Sequence, residues 1–269
     1  MLLIFGLGYT ARAVAAVAGV PVVGTTRDGR DGTLRFEEAD AALAAASHVL
    51  SSVPPDAEGD PVLRRYGAAL AGKWLGYLSS TGVYGDTGGA WVDESAAADR
   101  GRRANRNHAD AAWLARGARV FRLPGIYGPG RSALDRVAAG EAHRTADPGQ
   151  VFSRVHVADI ASGIVAGFAG PPGAYNLADD LPAPQDEVVS HAAALLGLPP
   201  PPIVPLDALS PAARAFHAEN RRVANGKAKR VLGWRPRYPD YRAGLLALKA
   251  ITSPIIASAA PVAGSGAQR

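Results

Sequence analysis

The hexapeptide Gly6-Leu7-Gly8-Tyr9-Thr10-Ala11 follows a four-residue apolar run and opens an alanine-rich stretch. Each position suits a phosphate. Gly6 permits a tight turn, and Gly8 leaves the backbone bare where a pyrophosphate can approach. Ala11 is small enough for a following helix to pack closely on the strand. Tyr9 and Thr10 head that helix, whose first N–H groups have no partner within it and can face an anion. A glycine turn by itself is weak, but between a strand and a helix it points to a dinucleotide.

The next apolar run ends in Gly-Thr-Thr-Arg-Asp-Gly-Arg, residues 24–30. A carboxylate at the strand end would accept bonds from adenosine ribose hydroxyls and repel a 2′-phosphate. Here Thr26 and Arg27, with Arg30 nearby, offer a hydroxyl and guanidinium groups suited to that phosphate. NADP(H) is therefore expected over NAD(H). The competing reading has Arg27 solvated and Asp28 bonded to the ribose.

The elements that must hold these residues are legible from the apolar pattern. Strands are expected over residues 2–5, 22–26, 33–36, 48–54, 74–80 and 119–125. Helices are expected over 40–47, 60–71 and 103–116. Short apolar strands alternating with helices indicate an α/β fold, with a doubly wound parallel sheet covered on both faces. Beyond Gly125 the loops become rich in Gly and Pro, with helices expected over 186–196, 212–220 and 240–251. The proline run 197–205 reads as an extended spacer. The small-residue stretch after Pro254 is expected to be a flexible tail.

Composition narrows the class. The 269 residues carry a net charge of +5, no cysteine and no run long enough to span a membrane. Disulfides and thiol chemistry are excluded, and neither a metal site nor a membrane partner is expected. The opening residues enter a strand at once, without a basic leader, so a cytoplasmic protein is expected. Arginine far outnumbers lysine and is spread through the chain. Its densest patch, 101–108, has no aromatic interleaving, so nucleic acid is not an expected partner. Anionic small molecules account for the basicity.

Six segments carry a resemblance in their order along the chain: GLGYTA, SSTGVYGD, FRLPGIYGPG, SRVHVADIASGI, GAYNLADD and AKRVLGWRP. Together, from residue 1 to about 249, they resemble the extended short-chain dehydrogenase/reductase superfamily, the NAD-dependent epimerase/dehydratase group. The resemblance implies a Rossmann-type NAD(P) domain over residues 1–124 and about 151–178. It also implies a small α/β lobe for a small-molecule substrate, over about 125–150 and 179–252. Topology then places Ser51, Ser52 and Val53 beside the adenosine–pyrophosphate region and Phe36 at the adenine. Leu123, Pro124, Gly125 and Ile126 are placed along the nicotinamide. Relatives often pair through the helix after the SSTGVYGD segment, which allows a homodimer.

The same resemblance implies a hydroxyl that bonds the reacting oxygen, a tyrosine that moves the proton and a lysine one helical turn later. Ser80, with Thr81 beside it, matches the hydroxyl. Aligned through Asp110, Arg102 stands at the tyrosine position and Arg106 at the lysine position. Arg106 can still donate to ribose hydroxyls. Arg102 cannot act as a general acid, because guanidinium keeps its proton near neutrality. Tyr84 is the nearest phenol, with a packed side chain as its alternative; His108 falls on the opposite helix face, and Tyr127 is a weaker candidate. Asp159 reads either as a cleft residue with His156 or as a helix cap. The combination resembles the atypical branch of the superfamily. Two functions stay open: an NADP-dependent reductase or epimerase-like enzyme acting on a hydroxyl/keto pair, sugar-type or smaller, and a catalytically inactive NADP(H) sensor or scaffold.

Overall fold

A computed structural model describes residues 1–147 and 149–252 of the chain. The expected tail, 253–269, lies outside the described residues. The first half runs β1 (Leu2–Phe5), α1 (Tyr9–Val17), β2 (Val22–Thr26), β3 (Leu34–Arg35), α2 (Asp40–Ala45), β4 (His48–Ser51), α3 (Pro61–Tyr66) and β5 (Trp74–Ser80). β6 (Trp91–Val92), α4 (Ala104–Ala115) and β7 (Arg119–Leu123) follow. The second half has shorter elements. They are β8 (Gly125–Tyr127), α5 (Ala133–Ala138), β9 (Arg154–His156), α6 (Val157–Ala166), β10 (Gly173–Asn176) and α7 (Gln185–Leu196). The chain closes with α8 (Pro211–His217), β11 (Arg222–Val223), α9 (Gly226–Val231) and α10 (Tyr241–Thr252).

Seven parallel strands form a Rossmann-type sheet in the order β10-β7-β5-β4-β1-β2-β3. Every residue of β1 is buried, and its alternate side chains enter different cores. Leu2 and Ile4 pack with Val14 of α1 and Ile160 and Ile164 of α6. Leu3 and Phe5 pack with Leu43 of α2, Tyr66 of α3 and Trp113 of α4. Each such large apolar side chain contributes roughly 1.5–3 kcal/mol when fully buried. Asp60 caps α3 at the Leu63 N–H and also accepts the Trp113 indole N–H at 2.9 Å, which ties α3 to α4.

The strand order reverses between β1 and β4, the switch point where open α/β sheets leave a crevice beyond the strand ends. Gly6 and Ser52 stand there, one residue past each strand. A further core cluster lies apart from the sheet, where Leu134 and Val137 of α5, Val188 and Ala192 of α7, and Leu245 and Leu248 of α10 meet. Two short parallel pairs, β8·β9 and β6·β11, stand outside the main sheet. The proline run is extended and clasps Arg144, which donates its backbone N–H to Pro202 and its Nε to Pro201.

Candidate active site

The phosphate turn is built from two glycines in different conformations. Gly6 has φ +83°, and a Cβ there would come within 3.2 Å of Val53 Cγ2 and 3.3 Å of the Ser52 carbonyl carbon. The fold itself needs this glycine. Gly8 caps α1 at φ −89°, and a Cβ there would meet nothing within 4 Å. No side chain caps the first turn of α1, so its N–H groups face the same opening. Ala11 is wholly buried, Thr10 nearly so, and Tyr9 is exposed with its hydroxyl donating to Pro129 O at 3.1 Å. Ser51 is wholly buried, yet its Oγ has no hydrogen-bond partner. Bare backbone, open helix N–H groups and an unsatisfied hydroxyl together fit a dinucleotide phosphate.

At the adenosine end the two expected ligands differ. The Thr26 hydroxyl accepts the Gly29 N–H at 3.0 Å and shares a 2.7 Å bond with Thr33, so it braces its own loop. Its expected bond to a 2′-phosphate is already committed elsewhere. Arg27 is exposed and makes no side-chain hydrogen bond or ion pair with the described residues. Asp28 pairs with Arg30 at 3.5 Å. Phe36 is half-buried and packs edge-on against Phe5 and Tyr66.

Beyond the ends of β5 and β7 lies a cavity of about 670 Å³. Ser80, Thr81 and Arg106 line it, as do Leu123, Pro124, Gly125 and Ile126. Ser80 Oγ accepts the Gly82 N–H at 3.1 Å, which leaves its own proton to donate. Helix α4 contains neither tyrosine nor lysine. Arg106 Nη1 instead donates to the Tyr77 hydroxyl at 2.8 Å. Burial pushes the Tyr77 phenol up to about 12, with Arg106 opposing it.

Tyr84 faces away from this cavity. It is 1% exposed, donates to Asn176 Oδ1 at 2.8 Å and accepts from Arg122 Nη1 at 3.0 Å. Burial raises its pKa, with Arg122 opposing. The packed alternative describes its position, and its expected role as proton donor has no geometric support. Arg122 also grips Asp110 through two bonds, Nη2 to Oδ1 at 2.7 Å and Nε to Oδ2 at 3.1 Å. Ser79 donates to the same carboxylate at 2.6 Å.

Three of the four remaining candidates have structural partners. His108 is exposed. The Tyr127 hydroxyl points to Asp240 O, and its ring borders a second, adjoining cavity of about 520 Å³. His156 caps α6 by accepting the Ala158 N–H, and burial followed by Arg237 lowers its pKa to about 4. Asp159, one turn into that helix, accepts the backbone N–H groups of Arg237 and Tyr238 at 2.7 and 3.0 Å. It anchors a distant segment and is not the cap.

Sequence reasoning missed most of the cavity's charge. Arg103, Arg131, Arg136 and Arg221 line it with Arg102 and Arg106, while Glu219 supplies its only carboxylate among the described residues. Arg102 Nε and Arg221 Nη1 meet Glu219 at 2.6 and 2.7 Å. Burial raises the Glu219 carboxyl, but Arg221 and Arg102 outweigh it and hold the group below its ordinary value.

No family model matches the chain. A curated relative, the 3-diazoavenalumate denitrifying reductase of a Streptomyces species, is 35% identical over 138 residues. That match covers 47% of this chain and 45% of the relative, so the chain spans less than half the length of this relative. The solved structure of a functionally unknown conserved protein from Silicibacter pomeroyi is 44% identical, with a TM-score of 0.86, over 93% of this chain and 98% of that one. A human epimerase family protein, SDR39U1, solved with NADPH, is 16% identical with a TM-score of 0.72, over 93% of this chain and 99% of that one. The chain belongs to one family with the Silicibacter pomeroyi protein, and its fold is that of the extended short-chain dehydrogenase/reductase superfamily, the NAD-dependent epimerase/dehydratase group.

Proposed function

We propose that this chain is an NADP(H)-dependent oxidoreductase acting on a hydroxyl/keto pair of a small molecule. The observation that carries the reading is a pair of features at the strand ends of one sheet: a phosphate-accepting turn at its switch point and, beyond the next strands, a cavity holding Ser80 and Thr81. The human epimerase family protein with the same fold was solved with NADPH, and the partial Streptomyces relative is named a reductase. Both support a nicotinamide dinucleotide.

The chain's own residues divide the work. Gly6, Gly8 and the first N–H groups of α1, with Tyr9, Thr10 and Ala11 around them, seat the pyrophosphate. Ser51, Ser52 and Val53 form the wall of that turn, and Phe36 borders the adenine. Arg27, which has no competing partner among the described residues, reaches the 2′-phosphate and sets the preference for NADP(H) over NAD(H). Leu123, Pro124, Gly125 and Ile126 exclude water beside the nicotinamide. The bound cofactor supplies or accepts a hydride. Ser80 donates its proton toward the reacting oxygen, Thr81 stands beside it, and Arg106 presents guanidinium N–H groups to a ribose hydroxyl. The separate core of α5, α7 and α10 forms the substrate lobe.

Among the described residues Glu219 is the one carboxylate lining the cavity, where Arg221 and Arg102 hold it below its ordinary value, and the nearest phenols are bonded inward. A proton required by the reaction therefore comes from water. The same observation favours the second reading, a binding protein that senses NADP(H) without turning it over. Fluorescence titration with NADPH, NADP⁺, NADH and NAD⁺, followed by absorbance at the NADPH band across a carbonyl panel, separates the cases. We expect NADP(H) to bind at least tenfold more tightly than NAD(H), and Arg27→Ala to abolish that preference. Tighter NAD(H) binding would end the NADP(H) assignment. Tight binding with no oxidation across the panel would favour the sensor.

A further inference from the structure

Six arginines, Arg102, Arg103, Arg106, Arg131, Arg136 and Arg221, line the cavity against one carboxylate, Glu219. Among the described residues the lining therefore has a formal net charge of +5. Elsewhere the fold satisfies its buried arginines. Arg122 has a bidentate carboxylate, and Arg154 donates to the Phe152 and Ala183 carbonyls. The cavity's guanidinium groups are less committed. Arg103 makes no side-chain hydrogen bond or ion pair with the described residues. Among the described residues Arg136 reaches only the Glu141 carbonyl at 3.3 Å, and Arg102 and Arg221 divide one Glu219, with Arg221 Nη1 also donating to the Gly85 carbonyl at 2.7 Å.

Cofactor phosphates do not account for this charge, because none of residues 6–11 lines the cavity. Only Arg131 leans toward that turn, with its guanidinium 5.8 Å from the centre of the Tyr9 ring. Like charges gathered in a concave, partly dehydrated site repel one another and focus a field that draws in an opposite charge. Arginine in particular matches the two-oxygen edge of a carboxylate or phosphate.

We propose that the substrate is anionic, with a carboxylate or phosphate group held by Arg103, Arg221 and Arg102 while its reacting carbon lies toward Ser80. This assignment rests on the cavity being the substrate site of the oxidoreductase proposed above. Glu219 acts as a positioning residue, since it fixes Arg102, on the approach to α4, against Arg221, beside β11.

The test uses matched probes on the full chain, with and without saturating NADP⁺ so that the phosphate turn is blocked in one arm. Calorimetry compares benzoylformate with its methyl ester, and dihydroxyacetone phosphate with dihydroxyacetone. We expect the anionic member of at least one pair to bind tenfold or more tightly than its neutral partner, with affinity falling as salt rises. The preferred pair identifies carboxylate or phosphate as the recognised group. Arg103→Gln, at an exposed position without side-chain partners among the described residues, should remove most of that preference and leave the NADPH affinity within twofold; Arg136→Gln tests the other wall. Equal binding within both pairs, or no binding by any probe, would overturn the proposal. So would an anion preference untouched by either variant. An anion preference in a parent protein that itself binds neither NADP(H) nor NAD(H) would sink the oxidoreductase reading and leave the anion site standing.

Discussion

Ser79 and Ser80 are adjacent on β5, yet they serve two different regions. From Ser79, at the cavity floor, a buried polar layer runs inward: Ser79 gives its proton to Asp110, Asp110 holds Arg122, Arg122 donates to Tyr84, and Tyr84 donates to Asn176. Above it is an open wall, where Ser80 keeps its proton and guanidinium groups outnumber carboxylates. The same residue types appear in both regions. In the sealed layer every charge has a partner, so polarity supports the fold. In the open wall six guanidinium groups share one carboxylate among the described residues, so part of the polarity is available to a ligand.

The largest effect should come from breaking the sealed layer. The Arg122 and Asp110 side chains are 3% and 2% exposed, and Asp110→Ala leaves a buried guanidinium without its bidentate carboxylate. Loss of one partner in such a pair costs about 3–5 kcal/mol, measured here as a fall in the urea midpoint. A loss under about 1 kcal/mol would mean the pair behaves like a surface ion pair and would collapse the distinction between the regions.

The next effect contrasts the two serines directly. Ser80→Ala should lower turnover about 100-fold on any carbonyl of the panel that oxidises NADPH, because a donor to the developing charge is lost. It should change stability little. Ser79→Ala should do the reverse, costing about 1.5–3 kcal/mol through a lost bond to a charged group while sparing turnover. Stopped-flow NADPH oxidation and urea unfolding on both variants read the two quantities. Equal turnover loss in both would place Ser79 in the chemistry.

This division explains how far the sequence could be read. Positions that depend on local geometry were legible: the Gly6–Gly8 turn and the buried Ala11 in α1 follow from spacing along one segment, and Ser80 at a strand end follows from the resemblance carried by its segment. The seven-strand sheet was legible apart from β10, whose four residues include a glycine and show no clear period. β8 and β9, at three residues each, are too short for any alternation to register. Long-range pairings were not legible. Arg102 and Glu219 meet across 117 positions, and nothing local to either marks the other. Tyr84 could not be oriented for the same reason, since its partner Asn176 lies 92 positions away. Thr26 looked available only because its bond to Thr33 depends on how the intervening loop turns.

The smallest effect sharpens the comparison inside the phosphate turn, where two residues of one type again divide between fold and ligand. Gly6 sits at φ +83° with its Cβ direction blocked by Ser52 and Val53, so Gly6→Ala should destabilise the protein by about 1–2 kcal/mol. Gly8 has an ordinary φ of −89° and open space where a Cβ would point. Gly8→Ala should therefore leave the urea midpoint unchanged or slightly raised, since alanine reduces the freedom of the unfolded chain. The space that is open in the protein alone is the space a pyrophosphate would enter. The added methyl group should then weaken NADPH at least tenfold, about 1.4 kcal/mol. Fluorescence titration beside urea unfolding reads both numbers from one preparation. If Gly8→Ala binds NADPH as well as the parent while remaining folded, the dinucleotide does not cross the chain at this turn, and the switch-point crevice has another occupant.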